Sequence, residues 1–199
     1  MQPDLFAFMG LIASGKSTLA RAWADTFSLP YYNSDVVRKE LAGFSASSRQ
    51  GESFHQGIYT PEMTRKTYDA LLGHAKQELT SGRSVVLDAS YSTRSERDLA
   101  RHCAIECGSR LFFILCQCDE EETRRRLEKR GQDSMAVSDA TWEIYRKQLQ
   151  HFEYPEELPA HAFIVIDTKA SVQNLIDSLQ KKISHSLSPL SAVHSPILS

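Results

Sequence analysis

One apolar, strand-like segment that runs straight into a glycine-rich loop and then a helix constrains this chain more than any other feature. Residues 6–9 read Phe-Ala-Phe-Met, and residues 10–18 read Gly-Leu-Ile-Ala-Ser-Gly-Lys-Ser-Thr, which fits the pattern G-x-x-x-x-G-K-[ST]. Beyond the loop, apolar residues recur at helical spacing, at Leu19, Ala20, Trp23 and Phe27. In this strand, loop and helix context the pattern forms a phosphate-binding loop, so the chain is predicted to bind a nucleoside triphosphate.

Each position of this phosphate loop has an expected role. Glycines at 10 and 15 permit backbone angles that a side chain would penalise, so that successive amides can turn toward the β-phosphate. Lys16 supplies a charge for the β- and γ-phosphates, Ser17 offers a hydroxyl to Mg²⁺, and the next helix directs its positive end at the same anion. The residues expected to hold the nucleotide are Gly10, Ala13, Ser14, Gly15, Lys16, Ser17 and Thr18.

Strands and helices alternate along the chain, which predicts an α/β fold of three layers (α/β/α) around a five-stranded parallel sheet. The predicted strands cover residues 5–9, 31–33, 84–89, 110–118 and 162–167, and the predicted helices cover 35–42, 61–80, 94–107, 119–130, 138–152 and 171–184. Residues 43–59 and 131–137 are predicted loops of the kind that serve as lids or substrate loops. The 199 residues predict one domain over 1–185, with a lid at about 119–138 and a disordered Ser/Pro-rich tail at 186–199.

The composition of the chain bears on which classes of partner it binds. The net charge of −2 and the hydrophobic content of 41% are ordinary, so nothing indicates a nucleic-acid or membrane partner. Cys103, Cys107, Cys116 and Cys118 form no C-x-x-C pair, which favours reduced thiols over a zinc site or a disulfide framework. Without a leader or a membrane-spanning segment in view, a cytoplasmic location is expected.

Polar residues that follow the apolar strands are candidates for the rest of the site, because ligands of α/β sheets bind at the carboxyl ends of the strands. Asp35 could accept the proton of an attacking hydroxyl, and Arg38 could hold the transferring phosphoryl group. The structural alternative is that Asp35 caps a helix and Arg38 pairs with a surface acid. Asp88 ends an apolar strand, where a carboxylate holds Mg²⁺ or caps the next element.

Three residues that follow Asp88 are further candidates. Tyr91, Arg94 and Arg97 either line an acceptor pocket or belong to the ordinary surface.

The most heavily charged segment, residues 119–131, is predicted to be a helix stabilised by ion pairs between residues four apart. The candidate pairs are Glu120 with Arg124, Glu121 with Arg125, and Glu122 with Arg126. Helix geometry puts Arg126 and Arg130 on one face, whereas Arg125 points away from the apolar Leu127. Arg126 and Arg130 are therefore the arginines expected to stabilise the phosphates, on a lid hinged near Gly131.

On these residues, the chain resembles the P-loop kinase family that includes the phosphoryl-transfer domain of phage polynucleotide kinase, zeta-toxin-like and gluconate-kinase-like enzymes. The resemblance covers about residues 4–168 and is closest to bacterial "predicted kinase" domains, found alone or fused to aminoglycoside-phosphotransferase-like domains. The matching motifs are Ser34-Asp35-x-x-Arg38, the strand-ending Asp88, and Arg126-x-x-x-Arg130-Gly131.

This resemblance implies a P-loop fold of strand order 2-3-1-4-5 with a helical lid. It also implies that Asp35 is the general base, that Arg38 holds a phosphate, and that Arg126 and Arg130 stabilise the transition state. The adenine is expected near Thr168.

The favoured hypothesis is a kinase that uses ATP and Mg²⁺ to phosphorylate a hydroxyl of a small molecule. A second hypothesis makes the acceptor a polynucleotide 5′-hydroxyl, for which residues 43–59 offer only Arg49 as a full positive charge. A third is a regulatory NTPase that works through a partner, although no partner-binding surface is evident. The chain has no Asn/Thr-Lys-x-Asp element, so ATP is favoured over GTP.

Overall fold

A five-stranded sheet forms the centre of the protein. The computed structural model describes residues 2–45, 59–132 and 142–187, with residues 130–132 described as backbone only. All strands pair in parallel, in the order β2-β3-β1-β4-β5. They are β1 (Asp4–Met9), β2 (Tyr31–Asn33), β3 (Val85–Asp88), β4 (Arg110–Gln117) and β5 (Phe163–Asp167). The predicted number of strands, their pairing and their order are confirmed.

The helices within the described ranges follow the predicted pattern closely. They are α1 (Lys16–Phe27), α2 (Ser34–Leu41), α3 (Pro61–Thr80), α4 (Arg94–Glu106), α5 (Glu120–Gln132), α6 (Trp142–His151) and α7 (Val172–Ser186). One difference is that α5 continues through Gly131, where a linker was predicted, because a glycine near a helix end costs only about 1 kcal/mol. The predicted start of α6 at 138, residues 46–58 of the predicted 43–59 loop, and the tail from 188 lie outside the described residues.

Local capping signals explain where two of these helices begin. The Thr60 side chain accepts a hydrogen bond from the Met63 amide at 3.2 Å, and Pro61 occupies the first helical position of α3. Thr93 and Glu96 form a reciprocal capping box at the start of α4. Thr93 thereby begins α4 only a few residues after Asp88, at the carboxyl end of the sheet.

The core lies on both faces of the sheet, which confirms the three-layer architecture. Leu5, Ala7 and Met9 pack toward α3 and α4, whereas Phe6 and Phe8 pack toward α1 and α7. This alternation buries β1 from Leu5 to Met9, and the carboxyl end of the strand leads directly into the phosphate loop. In the ranges described, no helix is both long enough and apolar enough to cross a membrane.

Candidate active site

The phosphate loop, residues 10–18, joins β1 to α1, and each of the two glycines of its motif meets two constraints. Gly10 has a φ of 135°, and a Cβ there would collide with the carbonyl oxygen of Cys116. Gly15 has a φ of 85°, and its Cβ would lie 2.8 Å from Thr168 Oγ1. Both the backbone angle and the close approach therefore require glycine. Ala13 also has a positive φ, of 61°. Residues with positive φ in such a loop turn successive amides toward a common point, which forms an anion-binding concavity.

Helix α1 presents an uncapped N-terminus to this loop. Gly15 is its N-cap residue and has no side chain with which to accept a hydrogen bond, and the first turn contains no acidic residue. The first amides of a helix lack partners within it, and the helix dipole makes this end positive. Residues Lys16, Ser17 and Thr18 thus begin α1 in a geometry suited to a bound phosphate.

Asp88 ends β3 beside the loop and is completely buried. Its Oδ2 atom accepts hydrogen bonds from Tyr31 Oη at 2.7 Å and from Asn33 Nδ2 at 2.6 Å. Burial and the Asp88 carboxylate raise the pKa of Tyr31, which keeps the phenol protonated as a donor. The other oxygen, Oδ1, is buried and has no hydrogen-bond partner within the described chain. A buried carboxylate oxygen in this condition fits a ligand to Mg²⁺ or to its water shell.

Asn33 joins the two carboxylates of the site. Its Nδ2 donates to Asp88, and its Oδ1 accepts from the amides of Asp35 and Val36 at 3.0 and 3.1 Å. Asn33 is therefore the N-cap of α2, so the alternative that Asp35 serves as the cap does not apply. One side chain thus fixes the start of the helix that carries Asp35 relative to Asp88.

Asp35 is held by two partners that sequence reasoning missed. Its Oδ1 accepts from Tyr59 Oη at 3.0 Å, and its Oδ2 lies 3.2 Å from Lys39 Nζ. Lys39 is fully buried, whereas the Asp35 side chain is 21% exposed. The two contacts fix the plane of the carboxylate while leaving part of it open to solvent.

Arg38 lies one helical turn from Asp35, on the same side of α2. Its guanidinium carbon is 5.0 Å from the centre of the Tyr59 ring, a cation–π distance. Its buried Nε has no hydrogen-bond partner in the part of the chain that the structure describes. A cationic donor of this kind beside Asp35 suits an anionic oxygen of a ligand.

Arg126 extends from α5 to the phosphate loop and donates hydrogen bonds to the backbone there. Its Nη1 donates to the Ala13 carbonyl at 3.2 Å and to Thr168 Oγ1 at 3.0 Å, and its Nη2 donates to the Thr168 carbonyl at 2.7 Å. Its Nε pairs with Glu122 at 2.6 Å. The structure thus brings Arg126 to the loop, where it contacts carbonyl groups, while the side chain of Arg130 lies outside the described part.

Glu122 is the centre of the ion pairs on α5. Arg125 and Arg126 both donate to it, and together they lower the pKa of this carboxyl to about 2. Of the three predicted pairs, two are present, since Glu120 contacts Arg124 and Glu122 contacts Arg126. Arg125 pairs with Glu122, three residues away, and not with Glu121.

Thr168 directly follows β5 and contacts the phosphate loop. Its hydroxyl donates to the Ser14 carbonyl at 2.7 Å, so this buried side chain faces the phosphate loop. The thiol of Cys116 lies near the same region, and its pKa is raised. Burial is the main cause and the Asp88 carboxylate adds to it, whereas the positive charges of Lys16 and Arg126 act in the opposite direction. The charges of Asp88, Lys16 and Arg126 therefore all act on this one buried thiol.

Two of the three further candidates lie in the core and not at the surface. Tyr91 and Arg97 are completely buried. The Arg97 guanidinium donates to Glu157 at 2.6 Å and to the carbonyls of Tyr91 and Glu153 at 3.0 Å each. Arg97, on α4, therefore holds the segment after α6 in place through these hydrogen bonds. Arg94 is exposed and pairs with Asp98.

The sheet order and the loop that follows its central strand define the class of P-loop kinase folds. A family model described as an AAA domain (AAA_33) matches residues 5–155 of the chain. The chain belongs to this AAA domain family. The resemblance to P-loop kinases expected from the sequence is confirmed in the fold.

Curated relatives match only part of the chain. Uncharacterised proteins of Mycobacterium tuberculosis and Mycobacterium bovis are each 29% identical over 131 residues, which is 66% of this chain and 26% of each relative. The chain thus spans about a quarter of the length of these curated relatives.

Solved structures of several kinases share the fold. A sugar kinase from Janibacter sp. has a TM-score of 0.66 at 21% identity and covers 96% of this chain and 99% of its own. A gluconokinase from Sinorhizobium meliloti has a TM-score of 0.64 at 19% identity, over 98% of this chain and 99% of its own. The APS kinase of Mycobacterium tuberculosis, in complex with AMPPNP and APS, has a TM-score of 0.66 at 17% identity, over 92% and 98%. At these identities the likeness shows the fold.

Proposed function

We propose that this protein is an ATP-dependent kinase that transfers the γ-phosphoryl group of MgATP to a hydroxyl of a small molecule, with Asp35 as the general base. The observation that carries the proposal is the Asn33 side chain, which bonds Asp88 and caps the helix of Asp35. A nucleotide-dependent switch needs only the phosphate loop and the metal-side carboxylate. A second, partly open carboxylate tied to the same frame supports an acceptor site.

The chain's own groups account for the donor half of the reaction. The loop amides and the start of α1 bind the phosphates, and the Lys16 charge offsets their negative charge. Ser17 Oγ and Asp88 Oδ1 would hold Mg²⁺, which would supply further neutralisation between the β- and γ-phosphates. The Arg126 contacts to the Ala13 and Thr168 carbonyls keep this half rigid.

Asp35 and Arg38 supply the acceptor half. Asp35 orients the acceptor hydroxyl toward the γ-phosphorus and takes its proton as the new O–P bond forms and the bond to ADP breaks. Arg38 donates to an oxygen of the transferring group. Tyr59 and Lys39 keep the Asp35 carboxylate in one orientation, which the reaction needs because positioning supplies most of the rate.

The acceptors to test first follow from the kinases that share the fold. Sugars, gluconate and APS are named for those proteins, and a hydroxyl on such a molecule suits a site with one open carboxylate and one arginine. Oligonucleotides with a 5′-hydroxyl form a separate arm of the same screen.

The experiment is a screen of hydroxyl acceptors with purified protein and MgATP. ADP release above the rate with water alone, together with a phosphorylated product identified by mass, is the expected result for at least one small molecule. Product formed only on oligonucleotides would support the polynucleotide alternative. Slow ADP release that no acceptor changes would contradict the kinase proposal and favour the regulatory NTPase.

A further inference from the structure

Gln148 on α6 forms a hydrogen bond with the phosphate loop. No sequence motif predicts this bond. Its side-chain Oε1 accepts from the backbone amide of Ile12 at 2.9 Å, across 136 positions of sequence. Ile12 lies in the first half of the loop, between Gly10 and Gly15. Of the described residues, Gln148 is the one whose side chain accepts a hydrogen bond from an amide of the loop.

Helix α6, which carries Gln148, has no buried side chain of its own, although Phe152, directly after it, packs against the core. At its first residue, the Trp142 ring stacks on Tyr145 at 4.9 Å and lies 4.0 Å from the Arg124 guanidinium of α5. Just beyond its end, the Glu153 carboxylate accepts from the Arg94 amide at 2.6 Å. A helix held in this way can shift when one contact changes.

We propose that Gln148 is a positioning residue for the phosphate loop, which fixes the Ile12 amide and couples α6 to the bound triphosphate. This assignment rests on the nucleotide-binding part of the proposed function and does not depend on the acceptor. Because the loop is shaped before the nucleotide arrives, binding does not have to order it. The Ile12 amide donates to α6, so it is not free to donate to a bound phosphate.

The neutral amide of Gln148 is part of this role. A carboxylate at the same position could accept the same hydrogen bond from Ile12. It would, however, place a negative charge at the rim of a site that receives a highly charged anion. A glutamate should therefore preserve the loop in the free protein but weaken binding of ATP more than binding of ADP, since ATP carries one more phosphate.

Trp142 provides a signal that reports on α6 directly. The chain has two tryptophans, and the other, Trp23, is 3% exposed in the core. The indole nitrogen of Trp23 has no hydrogen-bond partner within the described chain, so Trp23→Phe removes no such bond. In that background, emission from Trp142 reports on its contacts with Arg124 and Tyr145.

The test compares three variants in the Trp23→Phe background, using MgATP and MgADP titrations without an acceptor. Gln148→Met keeps the length of the side chain without an acceptor oxygen, and Gln148→Glu keeps the acceptor and adds charge. Gln150→Met is the matched control, because Gln150 is an exposed glutamine on the same helix. Thermal unfolding of each variant verifies that it is folded.

We expect Gln148→Met to weaken both nucleotides about fivefold and to abolish the ATP-induced change in Trp142 emission. Gln148→Glu should weaken ATP at least about threefold more than ADP. Gln150→Met should bind both nucleotides within about twofold of the parent, as expected for an exposed site. Parent-like affinities and emission in Gln148→Met, or equal losses for ATP and ADP in Gln148→Glu, would overturn the assignment. Absence of phosphoryl transfer contradicts only the kinase proposal, because this readout is nucleotide binding.

Discussion

Replacing Asp35 by Asn removes the proposed base and also disturbs a buried charge. Lys39 is fully buried with its Nζ 3.2 Å from Asp35 Oδ2, so Asp35→Asn takes away a carboxylate that balances this ammonium. Breaking a fully buried ion pair from one side costs about 3–5 kcal/mol. Because the Asp35 side chain is 21% exposed, water offsets part of this cost, and we expect about 2–3 kcal/mol.

The expected loss is large enough to measure by thermal or urea unfolding. For a domain of this size, 1 kcal/mol corresponds to about 2–4 °C, so Asp35→Asn should lower Tm by about 4–12 °C. Lys39→Met removes the ammonium and retains most of the side-chain volume. The Asp35→Asn/Lys39→Met double variant should therefore regain most of the lost stability, with a coupling energy of about 2 kcal/mol between the two sites.

The same double variant separates stability from chemistry. It should bind MgATP like the wild type and transfer no phosphoryl group, when assayed at a temperature at which all variants are folded. Additive stability effects of the two changes would show that the Asp35–Lys39 pair contributes nothing in solution. Phosphoryl transfer at the wild-type rate by the double variant would refute the assignment of Asp35 as the base.

Three further predictions concern the loop, the metal side and α5. Gly10→Ala should abolish MgATP binding in a titration, because its Cβ collides with the Cys116 carbonyl, whereas Gly73→Ala, which meets no atom within 4 Å on α3, should leave binding unchanged. Asp88→Asn should reduce the affinity for MgATP to that for ATP with EDTA; an undiminished effect of Mg²⁺ would rule out Asp88 as its ligand. Glu122→Gln should cost about 1 kcal/mol at pH 7. The pKa of Glu122 is about 2 in the folded protein, and its ordinary value is 4.5. The stability difference between wild type and Glu122→Gln should therefore be fully present above about pH 4.5 and vanish toward pH 2. A stability difference that does not change with pH would contradict this prediction.

Those features that the sequence predicted are the ones encoded by neighbouring residues. The strands were found because runs such as Val85-Val86-Leu87 are buried on both faces, and the start of α3 followed from Thr60 and Pro61. The phosphate loop is likewise a local pattern of glycines and a lysine. Sheet order came from a resemblance to a family, because nothing in a strand's own sequence names its neighbour.

The features that escaped prediction depend on distant residues or on burial. Tyr59 and Gln148 reach Asp35 and Ile12 from other elements, and no spacing encodes those contacts. Lys39 was open to prediction in part, since it follows Asp35 by four residues, but such pairs are usually exposed and this one is buried. Arg97 was misjudged for the same reason, because arginines are seldom fully buried unless paired, and its partner Glu157 lies 60 residues away.

The proposed transfer of the γ-phosphoryl group to a hydroxyl held by Asp35 is tested most directly by following that group. ATP labelled at the γ-phosphate is incubated with the wild type or with the Asp35→Asn/Lys39→Met variant and an acceptor identified in the screen. We expect label on the acceptor hydroxyl with the wild type and none with the folded double variant. Label recovered only as inorganic phosphate, at the same rate in both proteins, would contradict it.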